Sequence, residues 1–273
     1  MPELPEVETV CRGLRKSALG RTIEKTVLHR AGLRFPFPAN FAKDVTGHKI
    51  ARIDRRSKYI LMGLENDGKI LIHLGMSGRL IFTDDNDYVP TKHDHAQFFF
   101  DNGTALLFND IRRFGVMDYL TPGQTKHKLL DDIGLDPFSD WVTPQWLFEA
   151  LQKRRVSMKN ALMDQNLLAG LGNIYVSESL FTARIWPERL SNTVTLAEAK
   201  KLVPAIRKVL TAAIDAGGSS LRDYVQTDGE LGFFQDKFQV YGRTGKPCIR
   251  CKTPIEKIVQ AGRASFACPK CQK

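Results

Sequence analysis

Apolar residues change their spacing twice along the chain, and each change predicts a different kind of structure. Between residues 3 and 19, Val7, Val10 and Leu14 recur at helical intervals, with acidic residues at the start and basic residues near the end. This order of charges suits the helix dipole. The segment is therefore predicted to be an amphipathic helix that stops at Gly20.

From about residue 22 to residue 120, helical spacing gives way to short apolar runs. Ile-Leu-Met at 60–62 and Phe-Phe-Phe at 98–100 are examples, and Asn-Asp-Gly at 66–68 and Asp-Asn-Gly at 101–103 punctuate the region. Short strands joined by turns of this kind are typical of hairpins. The region is predicted to form an antiparallel β sandwich or barrel.

Helical spacing returns beyond residue 134, most clearly at 143–153 and 196–216. Residues 217–238 are rich in glycine and aromatic side chains, and a loop of that length is often a functional lid or a connector. We therefore expect an α+β protein with a β domain at 1–133, a helical domain at 134–236 and a terminal module at 237–273.

The terminal module carries four cysteines in two Cys-x2-Cys pairs separated by 16 residues: Cys248, Cys251, Cys268 and Cys271. Four thiolates at this spacing can surround one zinc ion and leave no position for water, so the ion would be structural. Two disulfides are the alternative, but only Cys11 is left over and no apolar stretch with a cleavage site precedes the fold. The pattern predicts one structural zinc ion and a reducing, cytoplasmic location.

Charge is concentrated in the same module. Residues 237–273 hold nine Lys or Arg against one acid, in a chain of 273 residues with net charge +10. A basic hairpin built around zinc favours a nucleic-acid phosphate backbone as partner. Net charge alone would suit an acidic membrane surface or ribosomal RNA equally well. No window of the sequence approaches a membrane span.

The amino terminus offers chemistry of its own. Removal of Met1 would free the secondary amine of Pro2 beside the carboxylates of Glu3 and Glu6. Such an amine can attack the anomeric carbon of a sugar and form an iminium ion, which is the electron sink needed to break neighbouring carbon–oxygen bonds. The alternative is that Pro2 and Pro5 only begin a helix, and these residues alone favour it.

Seven segments in order carry a resemblance to the bacterial formamidopyrimidine-DNA glycosylases, enzymes that excise oxidised purines and nick the strand. They are Pro-Glu-Leu-Pro-Glu-Val-Glu-Thr at 2–9, Arg-Ser-Lys-Tyr at 56–59, Leu-Gly-Met-Ser-Gly at 74–78, Lys-His-Asp-His at 92–95, Arg-Arg-Phe-Gly at 112–115, Gly-Leu-Gly-Asn-Ile-Tyr at 170–175 and the zinc module. The resemblance covers essentially the whole chain. It implies a helix and β sandwich, a helix–two-turn–helix domain and a zinc-finger hairpin.

The resemblance also implies four catalytic residues. Pro2 would attack C1′ and form a Schiff base, and Glu3 would exchange a proton at the ring oxygen. Lys58 would assist base loss and the first elimination. Arg263 would bind the flanking phosphates and promote the second elimination, because its planar guanidinium group grips phosphate bidentately. A solvated charge is the ordinary alternative for Lys58, and a helix-start acid is the alternative for Glu3.

A further eight residues match the family's DNA contacts. Met76, Arg112 and Phe114 would fill the space left by the flipped base, which costs a few kcal/mol to unstack, and Arg112 would donate to the orphaned cytosine. The others would contact the strand or the lesion: His93, Arg154, Lys159, Asn173 and Ser220. The alternatives are ordinary core positions for Met76 and Phe114, a solvated basic face for residues 153–159, and a satisfied strand residue for either His93 or His95.

The expected partner is double-stranded DNA with oxidised bases opposite cytosine, bound by a monomer. One alternative is an endonuclease VIII-like glycosylase for oxidised pyrimidines, against which stand Leu4 and the complete Met76, Arg112 and Phe114 set. The other is a zinc-finger DNA-binding protein without catalysis, which retention of Pro2, Glu3 and Lys58 disfavours. Cys11 stands where the family commonly carries arginine, and we predict that it only packs.

Overall fold

The computed structural model describes residues 1–84, 88–219 and 232–273. They divide into two compact units, the first formed by residues 1–131 with 216–233 and the second by residues 132–215 with 234–273. Within the described residues, no helix is both long enough and apolar enough to cross a membrane. Ser220 lies outside the described residues.

The first unit begins with helix α1, Leu4–Ser17. Glu3 is its N-cap residue, and the amide of Glu3 donates to the Glu6 carboxylate at 2.9 Å. Leu4, Val7 and Leu14 are fully buried, because their spacing of three and seven residues places them on one face. The predicted helix is confirmed, with ends that differ from the prediction by one or two residues.

Two antiparallel four-stranded sheets follow, with strand orders β1-β6-β7-β5 and β2-β3-β4-β8. The strands are β1 Ile23–Leu28, β2 Ile50–Arg56, β3 Tyr59–Leu64, β4 Lys69–His73, β5 Gly78–Thr83, β6 Asp94–Phe100, β7 Ala105–Asp110 and β8 Val116–Leu120. One apolar core joins Ile60 and Ile72 of the second sheet to Phe98 and Phe108 of the first. This confirms the predicted sandwich, and the core also takes in the apolar face of α1.

One short helix, α2 at Phe41–Val45, lies between β1 and β2 and was not predicted. Its sequence offers only one turn of apolar residues, Phe41 and Val45, which is too short for a periodic signal. Both side chains are fully buried in the sandwich core. Tertiary burial therefore decides the conformation here.

The second unit contains α3 Pro144–Gln152, α4 Met158–Met163, α5 Asn173–Ala183 and α6 Leu196–Asp215, and a hairpin of β9 Glu256–Gln260 with β10 Arg263–Ala267. Thr143 and Ser157 accept hydrogen bonds from the amides of Trp146 and Asn160, which caps α3 and α4. The predicted helices and the zinc-module hairpin are thereby confirmed.

Two turns separate α4 from α5, and the side chain of Gln165 bonds to residues at both ends of this connecting segment. Its amide nitrogen donates to the carbonyl oxygens of Met163 and Leu171, and its oxygen accepts from the amide of Gly170. Glycine at position 170 has a φ of +87°, which other residues rarely adopt. These bonds fix the loop that delivers Asn173 to the start of α5.

Candidate active site and DNA interface

Pro2 and Glu3 are both buried at the start of α1, with Glu3 only 4% exposed. Glu6, one helical turn later, uses both carboxylate oxygens. Oε2 accepts from the amide of Glu3 at 2.9 Å, and Oε1 accepts from the amide and the hydroxyl of Ser219 at 2.9 and 3.0 Å. Glu6 therefore connects the amino-terminal residues to the chain just before residue 220.

The chain on both sides of residues 220–231 is drawn together in the first unit. Ser219 and Phe233 form an antiparallel bridge, and the amide of Phe233 donates to the carbonyl of Ala216 at 3.0 Å. Gly218 has a φ of +80°, and a Cβ atom there would lie 3.1 Å from Cγ of Glu6. The positive φ favours glycine at this position, and the short distance to Glu6 leaves little room for a side chain.

Lys58 lies in the turn between β2 and β3 and is 6% exposed, so it is not the solvated strand-end charge that such a lysine usually is. Ser57 before it has a φ of +56°, a costly conformation for a residue with a side chain. Arg55 stabilises the turn, because its guanidinium donates to Glu8 of α1 at 3.2 Å and to the carbonyl of Ser57 at 3.1 Å.

His73, at the end of β4, is a site residue that the sequence did not single out. Burial, reinforced by the positive charges of Lys58 and Arg34, lowers the pKa of its imidazole to about 4. Its Nδ1 atom accepts from the amide of Gly75, and its ring packs on Tyr59 with centroids 4.8 Å apart. A neutral imidazole thus lies between Lys58 and the loop that carries Met76.

The three predicted space-filling residues lie on two neighbouring loops. Met76 is half-buried between β4 and β5, whereas Arg112 and Phe114 are exposed between β7 and β8. The guanidinium carbon of Arg112 lies 4.9 Å from the ring centroid of Phe114, within cation–π range. Phe114 is 47% exposed, which does not fit the core position that its spacing alone would suggest.

The two candidate histidines have different surroundings. His95 is buried, and its Nε2 donates to the carbonyl of Asp110 at 2.7 Å, so it is the satisfied strand residue. His93 is half-buried and directly precedes Asp94, the first residue of β6. The carboxylate of Asp94 accepts hydrogen bonds from Tyr88, Thr91 and Asn109. Burial alone would raise the pKa of this carboxyl group, but the hydrogen bonds outweigh it and the pKa is lowered.

In the second unit, Lys159 occupies a different position from the exposed one expected of a basic run. It is 1% exposed, and its Nζ donates to the carbonyl of Ala264 at 2.9 Å and to Oγ of Ser265 at 2.7 Å, with a longer contact to the carbonyl of Arg263 at 3.4 Å. Burial, and secondarily the charge of Arg263, lowers its pKa to about 8. Lys159 therefore supports the hairpin from inside the unit.

Asn173 supports the same hairpin, whereas Arg154 lies just after the end of α3. The Asn173 side-chain nitrogen donates to the carbonyl of Ala264 at 2.8 Å, while its oxygen is buried and has no hydrogen-bond partner among the described residues. Arg154 donates to the carbonyl of Ala150 and lies 3.7 Å from the carboxylate of Asp164. Arg263 itself is exposed at the start of β10, next to the Ala261-Gly262 turn.

Glu178 of α5 anchors the segment that leads into the zinc module. It is fully buried and accepts from the backbone amides of Gln239, Val240 and Tyr241 at 2.8–3.2 Å. Burial raises the pKa of its carboxyl group. Tyr241 in turn packs edge-on against Phe266 of β10, with centroids 4.8 Å apart. No sequence motif had indicated this role.

Four cysteine sulfurs converge beneath the hairpin. The Sγ atoms of Cys248, Cys251, Cys268 and Cys271 all lie within 4.8 Å of one another. The Cys248–Cys271 and Cys251–Cys268 pairs are 3.9 and 3.4 Å apart. Zinc–sulfur bonds of about 2.3 Å in a tetrahedron require sulfur–sulfur separations of roughly 3.8 Å. The donors therefore fit one structural zinc ion, with no position left for a catalytic water.

Family models account for nearly all of the chain. The formamidopyrimidine-DNA glycosylase N-terminal domain matches residues 1–117, the formamidopyrimidine-DNA glycosylase H2TH domain matches 133–225, and the zinc finger found in FPG and IleRS matches 245–273. The chain belongs to the formamidopyrimidine-DNA glycosylase family. This assignment confirms the predicted resemblance and the zinc-finger module.

Individual relatives agree along their whole length. A formamidopyrimidine-DNA glycosylase of Cereibacter sphaeroides strain KD131 is 49% identical, with 100% of both chains covered. The Lactococcus lactis Fpg (MutM) complex with N7-benzyl-Fapy-dG DNA is similar at a TM-score of 0.91 and 36% identity, covering 100% of both chains. A MutM complex with carbocyclic 8-oxo-G DNA is similar at 0.90 and 36%, again covering 100% of both.

Proposed function

We propose that this protein is a bifunctional DNA glycosylase and apurinic/apyrimidinic lyase of base excision repair, acting on oxidised purines such as 8-oxoguanine and formamidopyrimidines. The family assignment over the full length supports the reaction class. The observation that carries the proposal is the buried Pro2-Glu3 start of α1, in a unit that also buries Lys58.

The reaction would begin after removal of Met1 exposes the Pro2 nitrogen. That nitrogen attacks C1′, the bond from C1′ to the base breaks, and the base leaves with a proton. Glu3 supplies a proton to the ring oxygen as the sugar opens, which leaves an iminium ion on Pro2. Loss of a C2′ proton then expels the 3′ phosphate, and a second elimination expels the 5′ phosphate. Hydrolysis finally releases Pro2.

The remaining residues would bind and orient the DNA. Lys58 assists base loss and the first elimination, and Arg263 binds the flanking phosphates during the second. Met76, Arg112 and Phe114 fill the space of the flipped base, while His93, Arg154, Asn173 and Ser220 contact the strand or the lesion. Lys159 contributes through the hairpin that it supports, with its own charge held inside the unit. Zinc, when bound by the four cysteines, stabilises this hairpin and supplies no catalysis.

The division of labour follows the proposed domains. Residues 1–133 would carry the nucleophile and the space-filling residues, residues 134–236 the helix–two-turn–helix contacts and the loop over the lesion, and residues 237–273 the zinc finger. Four cysteines arranged to bind a metal ion support a reducing compartment, and we place the protein in the cytoplasm with the DNA.

Borohydride trapping tests the proposal. Mixing the protein with a duplex that carries 8-oxoguanine opposite cytosine, and then adding borohydride, should give a covalent adduct that mass spectrometry locates at Pro2. A protein with a verified blocked amino terminus should bind the duplex and give no adduct. Glu3→Gln should also bind and lose base excision, by about 100-fold or more.

Two results would contradict the proposal. Equal base release by the protein with the blocked terminus would eliminate Pro2 as the nucleophile. Preference for a duplex with an oxidised pyrimidine would instead favour endonuclease VIII-like specificity, and binding without any base release would favour a protein that has lost its catalysis.

A further inference from the structure

Asp110, the last residue of β7, is a fully buried carboxylate to which no step of the proposed reaction assigns a role. Its Oδ1 accepts from the hydroxyl of Ser77 at 2.6 Å and from the amide of Arg112 at 3.2 Å. Its Oδ2 accepts from the amide of Gly115 at 2.8 Å. One side chain therefore holds both ends of the 112–115 turn.

Ser77 closes the network from the other loop. Its oxygen donates to Asp110 and also accepts from the amide of Arg112 at 3.0 Å. Ser77 is 3% exposed and directly follows Met76. The Asp110–Ser77 pair thus connects the loop that carries Met76 to the turn that carries Arg112 and Phe114.

Backbone packing shows that the two loops are in close contact. A Cβ atom at Gly75 would lie 2.4 Å from the carbonyl carbon of Phe114, and Gly75 has a φ of +63°. Arg113 has a φ of +58°, so the turn adopts a left-handed conformation that is strained for a residue with a side chain. Such a turn persists only if surrounding contacts fix it, and the Asp110 hydrogen bonds at its two ends do so.

We propose that Asp110 and Ser77 are positioning residues that set Met76, Arg112 and Phe114 as one rigid group and so determine discrimination of the base opposite the lesion. This inference rests on the proposed function, because it assumes that Arg112 reads the orphaned base. Arg112 is exposed and has only the cation–π contact with Phe114 along its side chain among the described contacts. Asp110 and Ser77 hold the backbone amide of Arg112 and so fix the point from which its side chain extends, and the ring of Phe114 in the same turn is the contact that the guanidinium makes from there.

An aspartate is suited to this role because all of its contacts are with donors. Asparagine at position 110 would keep one acceptor oxygen but would turn an NH2 group toward the backbone N–H of either Arg112 or Gly115, depending on how the amide is oriented. Two donors would then face each other in a buried site. Alanine at position 77 is the milder change, since Asp110 keeps its contacts with the amides of Arg112 and Gly115.

The experiment compares base release from 8-oxoguanine opposite cytosine with release opposite adenine. Variants Asp110→Asn and Ser77→Ala should lower the ratio of the two kcat/KM values by about 10-fold and about 3-fold respectively. Thr46→Val is the matched control, because it removes another hydroxyl hydrogen bond of the same unit, that of Thr46 to Thr26 at 3.0 Å. It should leave the ratio at the wild-type value.

A purely structural role would lower both rates by the same factor and leave the ratio unchanged, so an unchanged ratio in a folded Ser77→Ala variant overturns the inference. If Asp110→Asn does not fold, as judged by thermal melting, Ser77→Ala alone decides. Arg112→Ala is the reference. The double variant Ser77→Ala/Arg112→Ala should have the same ratio as Arg112→Ala alone, because the side chain that Ser77 helps to position is no longer present.

The two proposals can fail separately. If Arg112→Ala leaves the ratio unchanged, the assignment of Arg112 as reader of the opposite base is wrong, and the inference falls with it. If Arg112→Ala lowers the ratio but Ser77→Ala and Asp110→Asn do not, only the positioning role is wrong. Trapping at Pro2 is measured on every variant and reports the glycosylase chemistry independently.

Discussion

Single carboxylates organise much of the first unit at the residue scale. Within the described residues, the carboxylate of Glu6 accepts from the amide of Glu3 and from the amide and hydroxyl of Ser219, and that of Asp110 accepts from Ser77, Arg112 and Gly115. Both carboxylates are buried. Neither residue needs to touch DNA for its loss to matter. Each fixes backbone that carries a residue proposed to do so, Glu3 in one case and Arg112 in the other.

Replacing Glu6 with Gln tests whether Glu6 fixes the backbone of Glu3 for catalysis. The glutamine NH2 group would have to face the amide of Glu3 or the amide of Ser219, and both are donors. An unmet buried donor costs about 1–3 kcal/mol, so we expect base excision to fall at least about 10-fold. Single-turnover kinetics on the 8-oxoguanine duplex measures this loss.

Glu24→Gln is the matched control, because Glu24 is an exposed acid on β1 of the same unit. It should excise the base at the wild-type rate. Ser219→Ala removes the hydroxyl donor to Glu6 and keeps the amide donor, so its excision rate should lie between those of Glu24→Gln and Glu6→Gln. Wild-type kinetics for Glu6→Gln in a folded protein would mean that the connection from Glu3 to Ser219 has no part in catalysis.

At the scale of elements, the sequence predicted the long helices and the alternation of strands and turns, because apolar periodicity and turn chemistry are local. It could not predict α2, which owes its conformation to burial of Phe41 and Val45. The motif-bearing residues were likewise identified by the sequence. Their supports Asp110 and Glu178 were not, because Ser77 lies 33 residues from Asp110 and Tyr241 lies 63 residues from Glu178, and only the fold brings these partners together. The same holds for His73, whose ring packs on Tyr59 of the preceding strand.

Lys159 gives a test of how the helices support the hairpin. Lys159→Met keeps the length of the side chain but removes the donor to the carbonyl of Ala264 and to Ser265. We expect a folded protein whose affinity for a duplex with a stable abasic analogue falls about 10-fold. The ratio of second to first elimination product should fall as well, since Arg263 begins the supported strand. Fluorescence anisotropy and product gels measure the two effects.

The control is Lys200→Met, which removes an exposed lysine of α6 in the same unit with an equal change in charge. Its affinity should change by less than about twofold, as for other isolated surface charges. If both variants lose the same affinity, the effect of Lys159 is one of charge alone, and its role in supporting the hairpin is excluded.

At the scale of the whole molecule, positive charge and zinc coincide. The zinc module holds nine of the chain's 40 Lys and Arg residues in 37 positions, with one acid. Because phosphate neutralisation releases counterions, each phosphate contact adds roughly 0.9 to the slope of log affinity against log salt. Chelation of zinc, or Cys248→Ser, should weaken DNA binding and also make this slope shallower, since the module contributes contacts only when folded.

Binding titrations at several salt concentrations check this expectation. Val89→Ala, at an exposed apolar position of the first unit, is a control that should change neither affinity nor slope. A chelated protein that keeps the original slope would show that the basic hairpin makes no phosphate contacts.

Cys11 confirms the predicted packing role: it is fully buried, its sulfur lies 3.7 Å from the carbonyl of Asp54, and burial raises the pKa of its thiol to about 12. Thiolate is the reactive form of cysteine, so we expect this buried sulfur not to react with alkylating dyes in the folded protein. Any labelling of the native chain then comes from the four sulfurs of the zinc module. The fraction of unmodified protein that reacts with the dye should therefore equal the fraction of zinc modules that have lost their ion.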